Sequence, residues 1–227
     1  SIYEPFAGDG FLGTQLESSV SYVGKVICYD MKPIAKLNLL LHSKDSKSIE
    51  YSPLSAWNDK QFDNIVMLPI LSHEPLKRMR AYNLYDFQHL DDEPRNMLAV
   101  AAESSNKKSV SVHFPSTCFS KEGVSFIKPL IDSDLLETVV LLPSNVLDGT
   151  NVQPLVLVTN KEKQKNGLVR FVDASHCFEE MSFSVKNFDV NSAVNLCLSN
   201  SNEKHVVEVP TSEVIDNKYM VYPLYYL

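Results

Sequence analysis

The sequence predicts an α/β fold, with a mostly parallel seven-stranded sheet, helices on both faces and an antiparallel hairpin at one edge. Short apolar runs alternate with amphipathic stretches, which is the pattern of a parallel sheet covered on both sides. A glycine turn, Gly8-Asp9-Gly10, follows the first apolar run, and the acidic Asp30 follows the second. Folds of this kind commonly hold a nucleotide-like ligand at such a turn.

The composition is that of one large α/β domain. The chain has 227 residues, of which 44% are hydrophobic and 22% charged, enough to bury a core. It contains no apolar run of roughly eighteen residues that would span a membrane and no signal peptide pattern. A net charge of −7 argues against this chain binding DNA alone, because nonspecific binding needs Lys and Arg on phosphates.

The elements follow from these apolar runs. Seven segments have strand character: Ser1–Glu4, Val26–Asp30, Ser48–Tyr51, Asn64–Leu68, Ser109–Phe114, Thr138–Leu142 and Leu155–Thr159. Four have helix character: Leu12–Ser18, Pro33–His42, Arg95–Glu103 and Lys121–Lys128.

The last third of the chain is richer in β-type segments. A polar turn, 160–166, separates Leu155–Thr159 from a second β-rich run, Leu168–Val172, which predicts a hairpin. Farther on, the pattern indicates a helix near Val190–Leu198, a strand at His205–Val209 and a short helix that begins at Thr211.

The turn after the first strand has the properties of a ligand loop. Gly8 and Gly10 allow positive φ and leave no Cβ in the way of a ligand, and the Asp30 carboxylate can accept hydrogen bonds from both ribose hydroxyls. The alternative interpretation is a plain tight turn, with Asp30 serving only as a helix cap.

Several segments together resemble a known family. Glu4-Pro5-Phe6-Ala7-Gly8-Asp9-Gly10 is similar to the first motif of class I S-adenosylmethionine-dependent methyltransferases, in the form found in DNA adenine methylases. The segments 30–42, 135–145, 155–161 and 171–175 resemble modification (M) subunits of type I restriction–modification systems, in the same order along the chain. The resemblance implies a Rossmann-like class I methyltransferase fold.

The resemblance also implies S-adenosylmethionine as the cofactor. Glu4, Pro5 and the loop 6–10 (Phe6, Ala7, Gly8, Asp9 and Gly10) would line its methionine and ribose parts, and Asp30 would hold the ribose. Ser52 stands where the family usually has an acid facing the adenine amino group, so one charge-assisted hydrogen bond is replaced by a weaker one.

The catalytic motif departs from the family pattern. The family carries Asn-Pro-Pro-aromatic after the fourth strand, so that side-chain and backbone oxygens accept both amino hydrogens of a flipped adenine and the aromatic ring stacks on it. Residues 62–67 match the approach strand, which places Leu68, Pro69, Ile70 and Leu71 on the motif. Leu68 has no acceptor and Leu71 has no stacking face, which predicts a catalytically impaired site.

Two polar residues near the motif are candidates to replace the missing acceptor. Asn64 lies four residues back along the strand, too far below its tip, and His73 is more typical of a solvated loop residue. The alternatives left open are an active methyltransferase with an atypical pocket and a non-enzymatic module that binds an adenosine-like ligand.

The resemblance implies a domain plan and partners. Residues 1–175 would be the methyltransferase-like domain, with an N-terminal part of the parent protein missing, and 176–227 an extension that packs on it or docks a partner. DNA would be reached through a specificity subunit or the missing region, with specificity and restriction subunits as partners and no membrane. The four widely spaced cysteines form no zinc pattern with the histidines, which predicts a cytoplasmic protein with free thiols and no metal site.

Overall fold

The computed structural model describes residues 1–51, 62–68, 105–147, 151–182, 185–199 and 204–227. These residues belong to two units, Ser1–Val110 and Ser111–Leu227. The division falls within the strand Ser105–His113.

The strands of the first unit follow a parallel plan. They are β1 (Ile2–Glu4), β2 (Tyr22–Val26), β3 (Ile49–Tyr51), β4 (Phe62–Met67) and β5 (Ser105–His113). Their order is β5-β4-β1-β2-β3, and the pairs β1–β2, β1–β4 and β2–β3 are parallel. Helix α1 (Phe11–Gln15) connects β1 to β2, and helix α2 (Met31–Leu41) precedes β3. This is the strand–helix alternation that the sequence predicts.

The core of the first unit fixes the turn after β1 against α2. The buried residues of this cluster are Ala7, Val26, Ala35, Leu39 and Ile49. They come from the turn, β2, α2 and β3, so apolar burial helps to bring the glycine turn close to the second helix.

The predicted position of the second strand is wrong by four residues, because β2 is Tyr22–Val26 rather than Val26–Asp30. The register pairs Ile2 with Tyr22 and continues to Gly24. A glycine inside a strand weakens it and makes the segment look unlike one. Here Gly24 is required by packing, because a Cβ at this position would lie 2.9 Å from the Cβ of Ala7.

The second unit carries the remaining strands. They are β6 (Leu136–Leu141), β7 (Leu155–Asn160), β8 (Leu168–Asp173), β9 (Phe178–Ser182), β10 (Val185–Phe188) and β11 (Val206–Pro210). The order is β11-β8-β6-β7, while β9 and β10 form a separate antiparallel pair. β6 is parallel to β8 and antiparallel to β7, and β11 is antiparallel to β8.

The predicted hairpin between Leu155–Thr159 and Leu168–Val172 is wrong, because β7 and β8 lie on opposite sides of β6. The polar segment between them passes the start of β6. There Lys163 Nζ donates to the carbonyl oxygens of Leu136 and Leu168, at 3.1 and 2.9 Å. Two β-rich runs around a polar turn fit both arrangements, and only the pairing with β6 distinguishes them.

The predicted fold class is confirmed as an α/β fold with a mostly parallel sheet, although the strand count differs. Strands β8 and β11, which the sequence predicts as separate β-type segments outside the seven, belong to the same sheet as β6 and β7. The second unit also holds α3 (Ser116–Phe119), α4 (Lys121–Asp132), α5 (Val190–Leu198) and α6 (Thr211–Asp216).

The predictions for α5, for β11 and for the short helix α6 are confirmed within one residue at each predicted boundary. The predicted helix Arg95–Glu103 lies outside the described residues. Within the described ranges, no helix has the length and apolar character needed to cross a bilayer. All four cysteines are free thiols, and Cys118 and Cys177 are buried.

Candidate functional site

The turn after β1 has the glycine geometry that the sequence predicts. Gly8 and Gly10 have φ values of +53° and +77°, a region that residues with a Cβ rarely adopt. The turn is anchored at Ala7, whose N–H donates to the Lys25 carbonyl at 2.8 Å, while the Gly10 N–H donates to the Ala7 carbonyl at 2.6 Å. Helix α1 begins directly afterwards at Phe11.

The two glycines serve different purposes. Gly10 is buried, and a Cβ there would lie 3.3 Å from both the Cβ and the carbonyl oxygen of Ala35 in α2. Asn38 on the same helix donates through Nδ2 to the Asp9 carbonyl at 3.1 Å. Gly8 is exposed, and the nearest atom to its Cβ position is the Phe6 carbonyl oxygen at 4.0 Å. The turn therefore packs on α2 at Gly10 and leaves open space at Gly8.

Glu4 ends β1 with a buried carboxyl group. Its Oε2 accepts a hydrogen bond of 2.5 Å from the Tyr22 hydroxyl on β2. The pKa of Glu4 is raised from 4.5 to about 7: burial raises it most, the Tyr22 hydrogen bond lowers it, and the nearby negative charge of Asp9 adds a smaller rise. Near neutral pH this carboxyl group therefore exists as both acid and carboxylate.

The acid predicted to end the second strand lies instead in the turn after it. Asp30 is exposed and occupies the N-cap position of α2, but its side chain makes no capping hydrogen bond. This geometry does not support the alternative that Asp30 is only a helix cap. Its carboxylate faces solvent in the same unit as the glycine turn.

Leu68 directly follows β4 and is 46% exposed, whereas the preceding Met67 is 1% exposed. Because β4 runs parallel to β1, with Ile2 opposite Asn64, the carboxyl ends of both strands lie at one edge. Glu4 and Leu68 therefore end neighbouring strands at the same edge, where open α/β sheets bind their ligands. Asn64 faces the start of β1 and does not reach this edge, as predicted.

The predicted site residues fall into two groups. Among the predicted residues, the turn residues Pro5–Gly10 stand together with Glu4, and Asp30 and Leu68 are described in the same unit. The remaining site residues, Ser52, Pro69, Ile70 and Leu71, lie outside the described residues, as does His73.

Tyr22 is the residue that sequence reasoning missed at this site. It is eighteen residues from Glu4, and the parallel register pairs it with Ile2 rather than with Glu4. No spacing rule connects a tyrosine at the start of one strand to the acid at the end of its neighbour. The only sequence signal was the presence of a hydroxyl-bearing aromatic residue in an apolar strand.

The fold and this strand edge define an α/β protein of the methyltransferase type. The chain belongs to the N-6 DNA methylase family, whose model matches residues 11–227.

Relatives with known names are similar to the chain over most of its length. The methylase subunit of the type I restriction enzyme MpnII from Mycoplasma pneumoniae is 23% identical over 209 residues, covering 78% of this chain. The corresponding MjaVII subunit from Methanocaldococcus jannaschii is 26% identical over 215 residues, covering 79%. The matches span only 38% and 36% of those proteins.

Solved structures support the fold. The methyltransferase subunit of a type I restriction–modification system from Streptococcus thermophilus superposes with a TM-score of 0.77 at 17% identity. That match covers 100% of this chain and 54% of the other.

Proposed function

We propose that this chain is the methyltransferase-like part of a modification subunit of a type I restriction–modification system, directed to the N6 nitrogen of adenine in DNA and catalytically impaired. The observation that carries this proposal is the exposed aliphatic Leu68 at the carboxyl end of β4, beside the strand that ends in Glu4 and the glycine turn. In this proposal the turn after β1 still holds the cofactor, and the acceptor for the base is missing.

The impairment follows from the chemistry of the amino group. The N6 lone pair of adenine is delocalised into the ring, and acceptors for both amino hydrogens are needed to localise it. A leucine side chain offers no lone pair, and losing one positioned polar group costs about 10²–10³ in rate. Ile70 and Leu71 replace the second proline and the aromatic residue in the sequence, which removes the stacking face as well.

The described residues fit S-adenosylmethionine, which supplies an activated methyl group when bound. The open space at Gly8 accommodates a ligand against the turn. Glu4 and Asp9 provide negative charge for a ligand that carries a sulfonium and an ammonium group, and Asp30 can accept from ribose hydroxyls. In this proposal Ser52 contributes one hydrogen bond to the adenine ring of the cofactor.

The partners in this proposal are DNA, a specificity subunit and a restriction subunit, in the cytoplasm. The relatives are named as methylase subunits of type I restriction enzymes, which supports assembly of this kind. In this proposal residues 1–175, which include the first unit and part of the second, form the methyltransferase-like domain, and 176–227 form an extension that packs on it or docks a partner. Five residue pairs between β11 and β8, from Val206–Val172 to Pro210–Leu168, support that packing.

Calorimetry with S-adenosylmethionine tests the cofactor half of the proposal. We expect saturable binding that weakens at least about tenfold in Asp30→Ala, because the charge-assisted hydrogen bonds to the ribose are lost. Asp216→Ala, an exposed acid in α6, is the matched control and should bind like the parent. Binding of adenosine without S-adenosylmethionine would favour the adenosine-ligand module instead.

Methyl transfer to DNA tests the catalytic half, with the full-length protein and its partner subunits. The parent should transfer no label to adenine, and Leu68→Asn, Ile70→Pro and Leu71→Phe together should restore transfer. Adding Asp30→Ala to the restored protein should lower the activity again. Transfer by the parent would identify an active enzyme with an atypical pocket, and a restored motif without activity would contradict the proposal that the loss is confined to this motif.

A further inference from the structure

We propose that Asp173, His176 and His205 form a binding site for a divalent transition-metal ion such as Zn²⁺. These three residues each offer one ligand atom, and the three atoms lie within 4.8 Å of one another. All three residues belong to the second unit, whereas Glu4 and Leu68 belong to the first. The proposal does not depend on the proposed methyltransferase-like function.

The backbone holds the three residues together. Asp173 ends β8, and His205 immediately precedes β11, its antiparallel neighbour. The Asp173 N–H donates to the His205 carbonyl at 2.9 Å, which fixes the two segments side by side. His176 lies in the turn after β8, and its ring centroid is 3.9 Å from that of His205.

The carboxylate is oriented by a further contact. Asp173 Oδ1 accepts a hydrogen bond of 3.0 Å from the Ser175 N–H, and Oδ2 lies 3.7 Å from His205 Nδ1. One oxygen is thus occupied by the turn, and the other faces the imidazole rings. A supporting hydrogen bond to a ligating carboxylate is a common feature of metal sites.

The donor set selects the class of ion. Imidazole nitrogen with one carboxylate oxygen suits Zn²⁺, Co²⁺ and Ni²⁺, whereas Mg²⁺ and Ca²⁺ prefer oxygen ligands alone. A tetrahedral ion about 2.0–2.2 Å from each donor requires donor separations of about 3.3–3.6 Å, so small rotations of the two imidazole rings have to shorten the separations by up to about 1.5 Å. His176 is exposed and also lines a groove of about 600 Å³ beside α5, which gives the ion a path from solvent.

The segment between His176 and His205 contains β9, β10 and α5. A metal bound to both histidines ties the start of this segment to its end. Its expected effect is therefore local, a reduction in the opening of the β9–β10 pair and of α5. The sequence predicted no metal site because the three ligands are spread over residues 173–205 without a motif spacing.

The experiment uses untagged, chelator-treated protein titrated with Zn²⁺ by calorimetry and with Co²⁺ by visible absorption. We expect one saturable site per chain and slower hydrogen exchange of the β9, β10 and α5 amides in the bound form. The double variant His176→Gln, His205→Gln should lose at least about 100-fold in affinity, because even changes in outer-shell residues cost 10–100-fold.

The exposed His42 in the first unit gives the matched control. His42→Gln should keep full affinity, and Asp173→Asn should weaken binding while preserving the fold by circular dichroism. The proposal is overturned if the parent binds no ion, or if the double histidine variant, still folded, binds as tightly as the parent.

Discussion

The hydroxyl of Tyr22 donates a hydrogen bond of 2.5 Å to the carboxyl group of Glu4, joining the start of β2 to the end of β1. Burial raises the pKa of both groups, and the negative charge of Glu4 raises that of Tyr22 further. The hydrogen bond is therefore the contact that offsets part of the cost of placing a carboxylate at the base of the glycine turn.

Replacing Tyr22 with Phe should destabilise the protein by about 1–3 kcal/mol at neutral pH, because it leaves the buried Glu4 carboxylate with one acceptor less satisfied. Urea unfolding measures this difference. Tyr29→Phe is the matched control, since Tyr29 is 62% exposed and should change stability by less than about 0.5 kcal/mol. If the two substitutions change the free energy of unfolding equally, the Tyr22 hydrogen bond does not stabilise the fold.

The pH dependence of stability should carry the signature of Glu4. Its pKa rises from 4.5 to about 7 on folding, so between these values the folded chain binds more protons than the unfolded chain. The free energy of unfolding then falls as pH rises. The favourable contribution is complete below about pH 4.5 and is lost as the pH passes about 7.

Glu4→Gln removes this titration. The free energy of unfolding of the variant minus that of the parent should therefore increase by up to about 3 kcal/mol as the pH rises from the unfolded to the folded pKa of Glu4, and should stay constant at higher pH. Urea unfolding at about pH 5 to 8 measures the change. Glu50→Gln, at an exposed position of β3, is the control for replacing a glutamate side chain by glutamine. A Glu4→Gln difference that does not vary with pH would contradict the raised pKa.

Much of the fold follows from the sequence because strands and helices leave local periodic patterns. The range Val190–Leu198 was predicted for α5 and is observed unchanged, since an amphipathic run with Asp189 at its N-cap signals a helix locally. The position of β2 and the pairing of β7 were not predictable in the same way. Both depend on partners distant in sequence, through the packing at Gly24 and the placement of β6 between β7 and β8.

In the candidate site, too, the features that depend on local sequence were predictable and those that depend on distant partners were not. The glycine turn and Leu68 were predictable because each lies directly after a strand and its role follows from that position. The Tyr22–Glu4 hydrogen bond was not, because it depends on which side chains meet across the β1–β2 pair. Periodicity identifies a strand and its buried face, but it does not identify the neighbour that a particular hydroxyl reaches.

The close approach of Gly10 to α2 makes Gly10→Ala a sharp test. An alanine at φ +77° is strained, and its Cβ would press on Ala35 at 3.3 Å. Gly167→Ala shares the strain, with φ +71°, but no atom lies within 4 Å of its Cβ position. We expect about 1–2 kcal/mol for Gly167→Ala from backbone strain. Gly10→Ala should cost about 1–3 kcal/mol more from overpacking.

The same two variants separate stability from ligand binding. Gly10→Ala should also weaken S-adenosylmethionine binding, because the turn must shift to relieve the contact with α2, and Gly167→Ala should not affect it. Urea unfolding and calorimetry give the two readouts. If both variants lose the same stability and bind alike, the packing of the turn on α2 does not constrain its shape.

Lys163 lies in the segment that connects β7 to β8 past the start of β6. Replacing it tests whether its contacts keep these two strands from forming a hairpin. Its side chain is only 3% exposed, and its ammonium group pairs with Asp134 at 2.5 Å, in addition to its bonds to two carbonyl groups at the starts of β6 and β8. Asp134 Oδ2 also accepts from the Gly167 N–H at 2.8 Å, so a single carboxylate fixes both the lysine and the turn.

Lys163→Met keeps the aliphatic stem but leaves Asp134 and two carbonyl oxygens without their cation, and we expect a loss of about 3 kcal/mol. Lys165→Met is the control, because that lysine is 59% exposed in its ion pair with Glu208 and should cost at most about 1 kcal/mol. Urea unfolding of both variants, of Asp134→Asn alone and of each lysine variant combined with Asp134→Asn gives the coupling energy. If the ion pair helps to place the segment between β7 and β8, its contribution to stability must disappear when either partner is neutral. A coupling energy near zero between Lys163 and Asp134 would therefore show that strand pairing alone determines the path of this segment.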